Sequence, residues 1–229
     1  MRQKFRCCFT DLHTRGVIST VTVLRYGNTN TYLVRGKGAG VLIDTDYAGT
    51  LGAFFREIKA RGVRLTDIAY VMATHYHPDH AGLIGELMRL GIKLLLIDVQ
   101  RESVHFPDAI FERDKHIRYE PVDESSAVIV SCEESRAFLS SLGIAGEIIS
   151  VPSHSADSVA VILDGDFADG ASPDGSCRDG GCCIAGDLEP FDYIGAYDNN
   201  PALRADWEHV LSYRPGTVYY AHANAKHFG

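Results

Sequence analysis

Long apolar runs are missing from this chain. Nowhere in its 229 residues is there anything near the roughly 20 consecutive apolar positions that a membrane helix needs, so no membrane partner is expected. The opening residues, Met1-Arg-Gln-Lys-Phe-Arg-Cys-Cys, are basic but lack an apolar stretch behind them. A secretory signal is therefore not expected, and a cytoplasmic location is the default. Positive charge is also scarce. Lys and Arg total 22 against 30 Asp and Glu, a net charge of −8, which offers no basic footprint for a nucleic-acid backbone. The six cysteines (Cys7, Cys8, Cys132, Cys177, Cys182, Cys183) lack the C-x-x-C spacing of a zinc or redox motif, and we read them as reduced thiols. No repeat or interdomain linker interrupts the chain, so residues 1–229 are expected to form a single domain with core enough to need no staples.

What is present is an alternation of short β-rich runs and helical spacings. Val17 to Tyr26 reads as a strand, turned at Gly27-Asn28 into a hairpin partner from Thr31 to Val34. Gly40 to Ile43 is a further strand ending near Asp44 and Asp46. Gly52 to Arg61 has helical spacing, with Leu51, Phe54, Phe55 and Ile58 on one face. Strand Ile68 to Ala73 runs into Thr74-His75, a helix follows from His80 to the stop at Gly91, and Lys93 to Ile97 returns as a strand. Later come a helix at Cys132 to Leu142 and strands at Glu147 to Val151, Ser158 to Leu163 and Cys182 to Ala185. A helix from Pro201 to Tyr213 and a strand from Thr217 to Ala221 close the chain. Interleaving of this kind predicts an α/β fold with helices on the outer faces of sheets. The Asp- and Gly-rich stretch from Asp164 to Gly181 is expected to be a solvated hairpin loop; it lacks the register and closing Glu of a calcium loop.

The chemistry concentrates in Thr74-His75-Tyr76-His77-Pro78-Asp79-His80. Three histidines and an aspartate stand at a strand end, and imidazole nitrogens and carboxylate oxygens are the donors a zinc-class ion accepts at about 2.0–2.2 Å. His75 and His77, two apart in extended chain, project to one side and can share an ion, while Asp79 and His80 turn toward a second. A satisfied core histidine accounts for one such residue but not for three beside an aspartate.

This segment resembles the H-x-H-x-D-H motif of the metallo-β-lactamase fold superfamily, and further stations of that family follow in order. Asp44 is similar to the early aspartate that braces the metal loop, His154 to the third histidine of the first ion, Asp187 to the bridging aspartate, and His222 to the last histidine. The resemblance implies a four-layered αββα sandwich. It also implies two divalent metal ions, zinc foremost with manganese or iron as alternatives. The first ion would take His75, His77 and His154, and the second Asp79, His80 and His222, with Asp187 between them. His227, five residues past His222, is the competitor for the final position. Three departures narrow the family. The Ser153-His154-Ser155 surroundings lack the glycines of glyoxalase II-like members, the chain is short for the extra domain of many RNA-processing relatives, and His77 stands where di-iron flavoproteins carry glutamate.

The implied activity is hydrolysis of an ester-type bond (lactone, thioester or phosphoester) in a small molecule, with Asp79 as the catalytic carboxylate beside the metals. A mononuclear iron persulfide dioxygenase using His75, His154 and Asp187, and a metal-stabilised scaffold or sensor without turnover, are the alternatives. Among the surroundings, Val99 to Asp123 is read as an irregular lid-like stretch, Phe191 and Tyr193 as neighbours of the site, and Lys226 as a receiver for an anionic group. The partner expected is a small-molecule substrate rather than nucleic acid, and a homo-oligomer is compatible with the sequence.

Overall fold

The structure, a computed structural model, describes residues 19–38, 40–165, 167–169, 177–178, 180–197 and 199–228. Cys7, Cys8, His13, and the Val17 and Ile18 of the expected first strand lie outside the described residues. Strands β1 (Ser19–Leu24), β2 (Thr31–Arg35) and β3 (Gly40–Ile43) form an antiparallel meander, and helix α1 (Leu51–Ala60) crosses to β4 (Ile68–Met72), which lies parallel to β3. Helices α2 (Pro78–Ala81) and α3 (Ile84–Arg89) lead to β5 (Lys93–Ile97), and the long connection holding α4 (Asp108–Phe111) leads to β6 (Val128–Val130). Helix α5 (Cys132–Ser141) then carries the chain to a second sheet through β7 (Gly146–Ser150) and β8 (Val159–Leu163). Strands β9 (Phe167–Asp169) and β10 (Cys177–Arg178) return to the first sheet. The second sheet is completed by β11 (Cys182–Ile184), β12 (Thr217–Tyr219) and β13 (Lys226–His227), with helix α6 (Pro201–Ser212) between β11 and β12. The sheet orders are β10-β9-β1-β2-β3-β4-β5-β6 and β13-β12-β11-β8-β7.

The period of two in these strands decides the layering. Val34, Val41, Ile43, Met72, Leu95 and Ile97 point from the first sheet into a core shared with Ile148, Val159, Val161, Leu163, Cys182 and Ile184 of the second. Their neighbours Leu33, Leu42, Val71, Leu94 and Leu96 face outward against Phe54 and Ile58 of α1 and Ile84 and Leu87 of α3. On the far side Ile149, Ala160, Ile162, Cys183 and Val218 pack on Leu203, Trp207 and Val210 of α6. Helices thus cover both outer faces of two stacked sheets, which is the αββα sandwich. Cys132, Cys182 and Cys183 carry thiols rather than disulfides. Among the described residues no helix is long and apolar enough to cross a membrane.

Three expectations are corrected. The helix after His80 is broken at Gly82-Leu83 into α2 and α3. A Cβ on Gly82 would meet the Ala48 nitrogen at 2.3 Å, and the Leu83 N–H donates to Thr45 Oγ1 at 3.1 Å instead of continuing the helical ladder. Phe55 turns away from the buried face of α1 and is 38% exposed, because the buried stripe runs through Phe54 and Ile58. The segment between β8 and β11 is more than a hairpin loop, since its β9 pairs parallel with β1 and extends the first sheet.

Candidate metal centre

Strand β4 delivers the motif. Its register beside β3 brings Asp44, just past the end of β3, against Thr74. Thr74 donates to Asp44 through its backbone N–H (2.7 Å to Oδ1) and its hydroxyl (3.0 Å), and His80 Nδ1 stands 3.2 Å from Asp44 Oδ2. Asp44 is fully buried and sits at φ +60°, a left-handed conformation an aspartate adopts at a cost that these partners offset. The loop is tied from the other side too. Tyr76 N–H donates to Asp157 Oδ2 at 2.8 Å, and Gln100 Nε2 reaches the carbonyls of Ala73 (3.0 Å), Thr74 and Asp157. Pro78 at the first turn and His77 in extended backbone before it start α2 so that Asp79 and His80 turn back over the strand end.

The second sheet supplies the remaining side chains from the ends of its strands. His154 follows β7, Asp187 follows β11 and His222 follows β12. Asp187 bridges the groups. Its Oδ2 lies 3.6 Å from His154 Nε2 and 3.8 Å from His75 Nε2, and its Oδ1 lies 3.4 Å from His80 Nε2 and 3.3 Å from His222 Nε2. Asp79 Oδ2 is 3.2 Å from His222 Nε2, and His154 Nε2 is 3.2 Å from His77 Nδ1. Two ligand-type groups result, His75-His77-His154-Asp187 and Asp79-His80-His222, the donor atoms in each lying within 4.8 Å of one another. All seven residues singled out from the sequence therefore converge.

The donor set fits metal ions. His75 Nε2 and His80 Nε2 are buried without a hydrogen-bond partner, a costly state for polar atoms unless something else receives their lone pairs. The 3.2 Å between His77 Nδ1 and His154 Nε2 is close to the ~3.3 Å edge of a tetrahedron whose ligands stand about 2.0–2.1 Å from a central zinc. For His75 and His154 the electrostatics agree. Burial, with the neighbouring His80, pushes the His75 imidazole down to about 2, and burial also lowers His154, so both offer neutral nitrogens. Burial opposes the charge on His80 but the Asp44 and Asp187 carboxylates outweigh it, raising His80 to about 10. Burial likewise works against ionised Asp187, yet His80, His75 and His222 hold its carboxyl well below the usual range.

His222 and His227 part company here. His222 Nδ1 donates to the Asn28 carbonyl at 3.1 Å, which directs Nε2 into the cluster, whereas His227 on β13 pairs with Thr217 Oγ1 at 3.0 Å, away from it. The Asn28 loop is itself seated on Asp46, a buried carboxyl raised above its ordinary value first by burial and contacted by the Asn28 backbone N–H. Asn30 Nδ2 stitches the same loop to the carbonyls of Tyr220 and Ala223. Lys226 is not available to an anion, because it pairs with Asp192 and lies 5.5 Å from the Phe191 ring centroid. Asp157, Gln100, Asp46 and the Asn28 carbonyl were not picked out from the sequence as parts of the site.

The metallo-beta-lactamase superfamily profile matches residues 24–167. The chain belongs to the metallo-beta-lactamase superfamily. The match ends before Asp187 and His222, so the arrival of those two rests on the geometry above. Among curated relatives, a ribonuclease Z of Streptomyces avermitilis is 32% identical over 93 residues, 39% of this chain and 28% of that protein. A lactamase-like protein, aptB, of Emericella nidulans is 38% identical over 66 residues, 28% of this chain and 21% of that protein. The chain thus matches less than a third of the length of either. Similar solved folds include the metallo-beta-lactamase MIM-1 from Novosphingobium pentaromativorans (TM-score 0.60, 21% identity, 93% of this chain and 81% of that one). A family protein from Thermus thermophilus (0.61, 19%, 92% and 74%) and one from Thermotoga maritima (0.63, 15%, 92% and 100%) share the fold as well. At such identities the likeness is one of fold.

Proposed function

We propose that this metallo-beta-lactamase superfamily chain is a hydrolase that holds two divalent ions, zinc foremost, and cleaves an ester-type bond in a small molecule. The observation that carries the reading is the convergence of seven donor side chains around two buried, unpartnered imidazole nitrogens. In the proposed assignment His75, His77 and His154 hold one ion, Asp79, His80 and His222 the other, and Asp187 both. Ions held there lower the pKa of water toward 7, which makes hydroxide available at neutral pH. The chain supplies the rest. Asp187 keeps one carboxylate oxygen toward each group, fixing their separation. Asp79, 38% exposed at the solvent side, is placed to orient the attacking water and to take its proton on a carboxylate oxygen. Asp44 and Thr74 hold His80 and the loop in the orientation the ligands need. A hollow of about 390 Å³ beside His154, Asp187 and His222, walled by Leu188, Pro190 and Tyr220, gives a small substrate room next to the reacting centre.

The test is hydrolysis of a panel of lactones, thioesters and phosphodiesters by zinc-loaded protein and by Asp187→Ala. Turnover that falls by about 10³-fold together with metal content supports the scheme, as removal of the metals forfeits several kcal/mol of transition-state stabilisation. Full turnover by Asp187→Ala contradicts it. One iron per chain with oxygen consumption on persulfides would point to the dioxygenase instead.

A further inference from the structure

Glu189 stands two residues beyond Asp187 and lines both hollows at the centre: the 390 Å³ one, and a smaller recess of about 100 Å³ bordered by Ser153, His154 and Asn200. Its backbone is anchored, since its carbonyl accepts from Trp207 Nε1 at 2.9 Å. Its half-buried carboxylate has no hydrogen-bond or ion-pair partner among the described residues. Apart from the ligand-type groups, it is the only charged side chain among the described lining residues of either hollow. Lys226, the residue read from the sequence as a receiver for anions, is engaged by Asp192. Leu188, Pro190, Tyr193 and Tyr220 share the larger hollow with it, and Tyr193 is 57% exposed. An unpaired carboxylate beside low-dielectric walls attracts a cation and repels an anion more strongly than it would in bulk water, and aromatic side chains add to the attraction for ammonium.

We propose that Glu189 sets substrate specificity, selecting esters whose acyl part carries a protonated amine and rejecting those that carry a carboxylate. This rests on the hydrolase reading above and names its substrate class. The recognition is a charge contact made by a residue on the chain just past Asp187, with the apolar walls taking up the carbon spacer between the ammonium and the scissile bond.

The experiment compares para-nitrophenyl esters of three acyl chains of matched length, ending in ammonium, methyl or carboxylate, with wild type, Glu189→Gln and Glu189→Lys loaded with zinc. Binding of the three corresponding methyl ketones, which are not hydrolysed, is measured by calorimetry in parallel. Wild type is expected to favour the ammonium end over the carboxylate end by at least about tenfold in kcat/KM and in ketone affinity. Glu189→Gln should bring that ratio close to one, and Glu189→Lys should invert it, with zinc content unchanged in both as the check on folding. A ratio that Glu189→Gln leaves intact, or a wild-type preference for the carboxylate end, overturns the proposal. Turnover without charge discrimination sinks the specificity assignment and spares the hydrolase. Charge-ordered ketone binding without turnover of any ester does the reverse.

Discussion

The two sides of the candidate metal centre are built differently. His75 and His80 stand on one continuous stretch of chain from the end of β4 into α2 and are 1% and 0% exposed, clamped by Asp44, Asp157 and Gln100. His154 and His222 arrive from separate strands of the second sheet and are 32% and 40% exposed. His222 is aimed by a single contact, to the Asn28 carbonyl. The buried side is therefore part of the core. The exposed side depends on two sheets being stacked and on one loop keeping its place. Damage to the first should register as lost stability, and damage to the second as lost metal affinity with the fold retained.

Substitution at Asp44 is the most severe way to probe this contrast. Asp44→Ala removes two hydrogen-bond acceptors for Thr74 and leaves the cationic His80 without its nearest counter-charge in a fully buried place. Denaturant unfolding of the metal-free protein should show a loss of about 3–5 kcal/mol. A change under 1 kcal/mol would mean that Asp44 does not bear on the buried side.

Acidity separates the same parts by another route. The folded protein keeps His75 neutral down to about 2, whereas an unfolded chain protonates it below about 6.5. Between those values the unfolded state binds more protons, so this residue's contribution to metal-free stability falls as pH falls below 6.5, by at most about 1.4 kcal/mol per pH unit. His80, raised to about 10, works in the other direction. Its contribution is complete below about 6.5 and is lost as pH rises toward 10. Unfolding midpoints of the metal-free protein should therefore peak near pH 6.5, and a plateau from pH 4 to 10 would refute the assignment. Zinc affinity should weaken in acid as well, because imidazoles must be neutral to bind.

Gly27→Ala tests the exposed side with the smallest expected effect. A Cβ there would fall 1.2 Å from Asp46 Oδ2, so the carboxyl and the Asn28 loop must part. We expect roughly a tenfold loss of affinity for one of two zinc ions, as for removal of a contact that orients a ligand, with the metal-free protein destabilised less than by Asp44→Ala. Equal weakening of both ions would erase the distinction between the two sides.

How much of this was legible in the sequence follows the same division. The 74–80 loop could be read directly because its donors are neighbours in the chain and follow a β-branched strand. Asp44, His154, Asp187 and His222 were placed through the family resemblance, since their meeting depends on the order of strands in two sheets and not on any local pattern. Alternating apolar positions made most strands readable and, with the helices between them, the class of fold. The break at Gly82 was hidden because a helical spacing continues through it and the reason for the break is the Asp46–Ala48 backbone packed against that glycine. Gln100 and Asp157 carry no motif, and their partners lie 27 and 81 residues away. Helical spacing groups Phe55 with Phe54 and Ile58 on one face of α1, because periodicity alone does not say where the buried stripe ends.

The most direct measurement is a metal count on purified, zinc-equilibrated protein, with calorimetric titration of the chelated form. The account predicts two zinc ions per chain for wild type, one retained in His222→Ala, and two in His227→Ala. No saturable zinc in the wild type, or the same loss from His227→Ala as from His222→Ala, would contradict it.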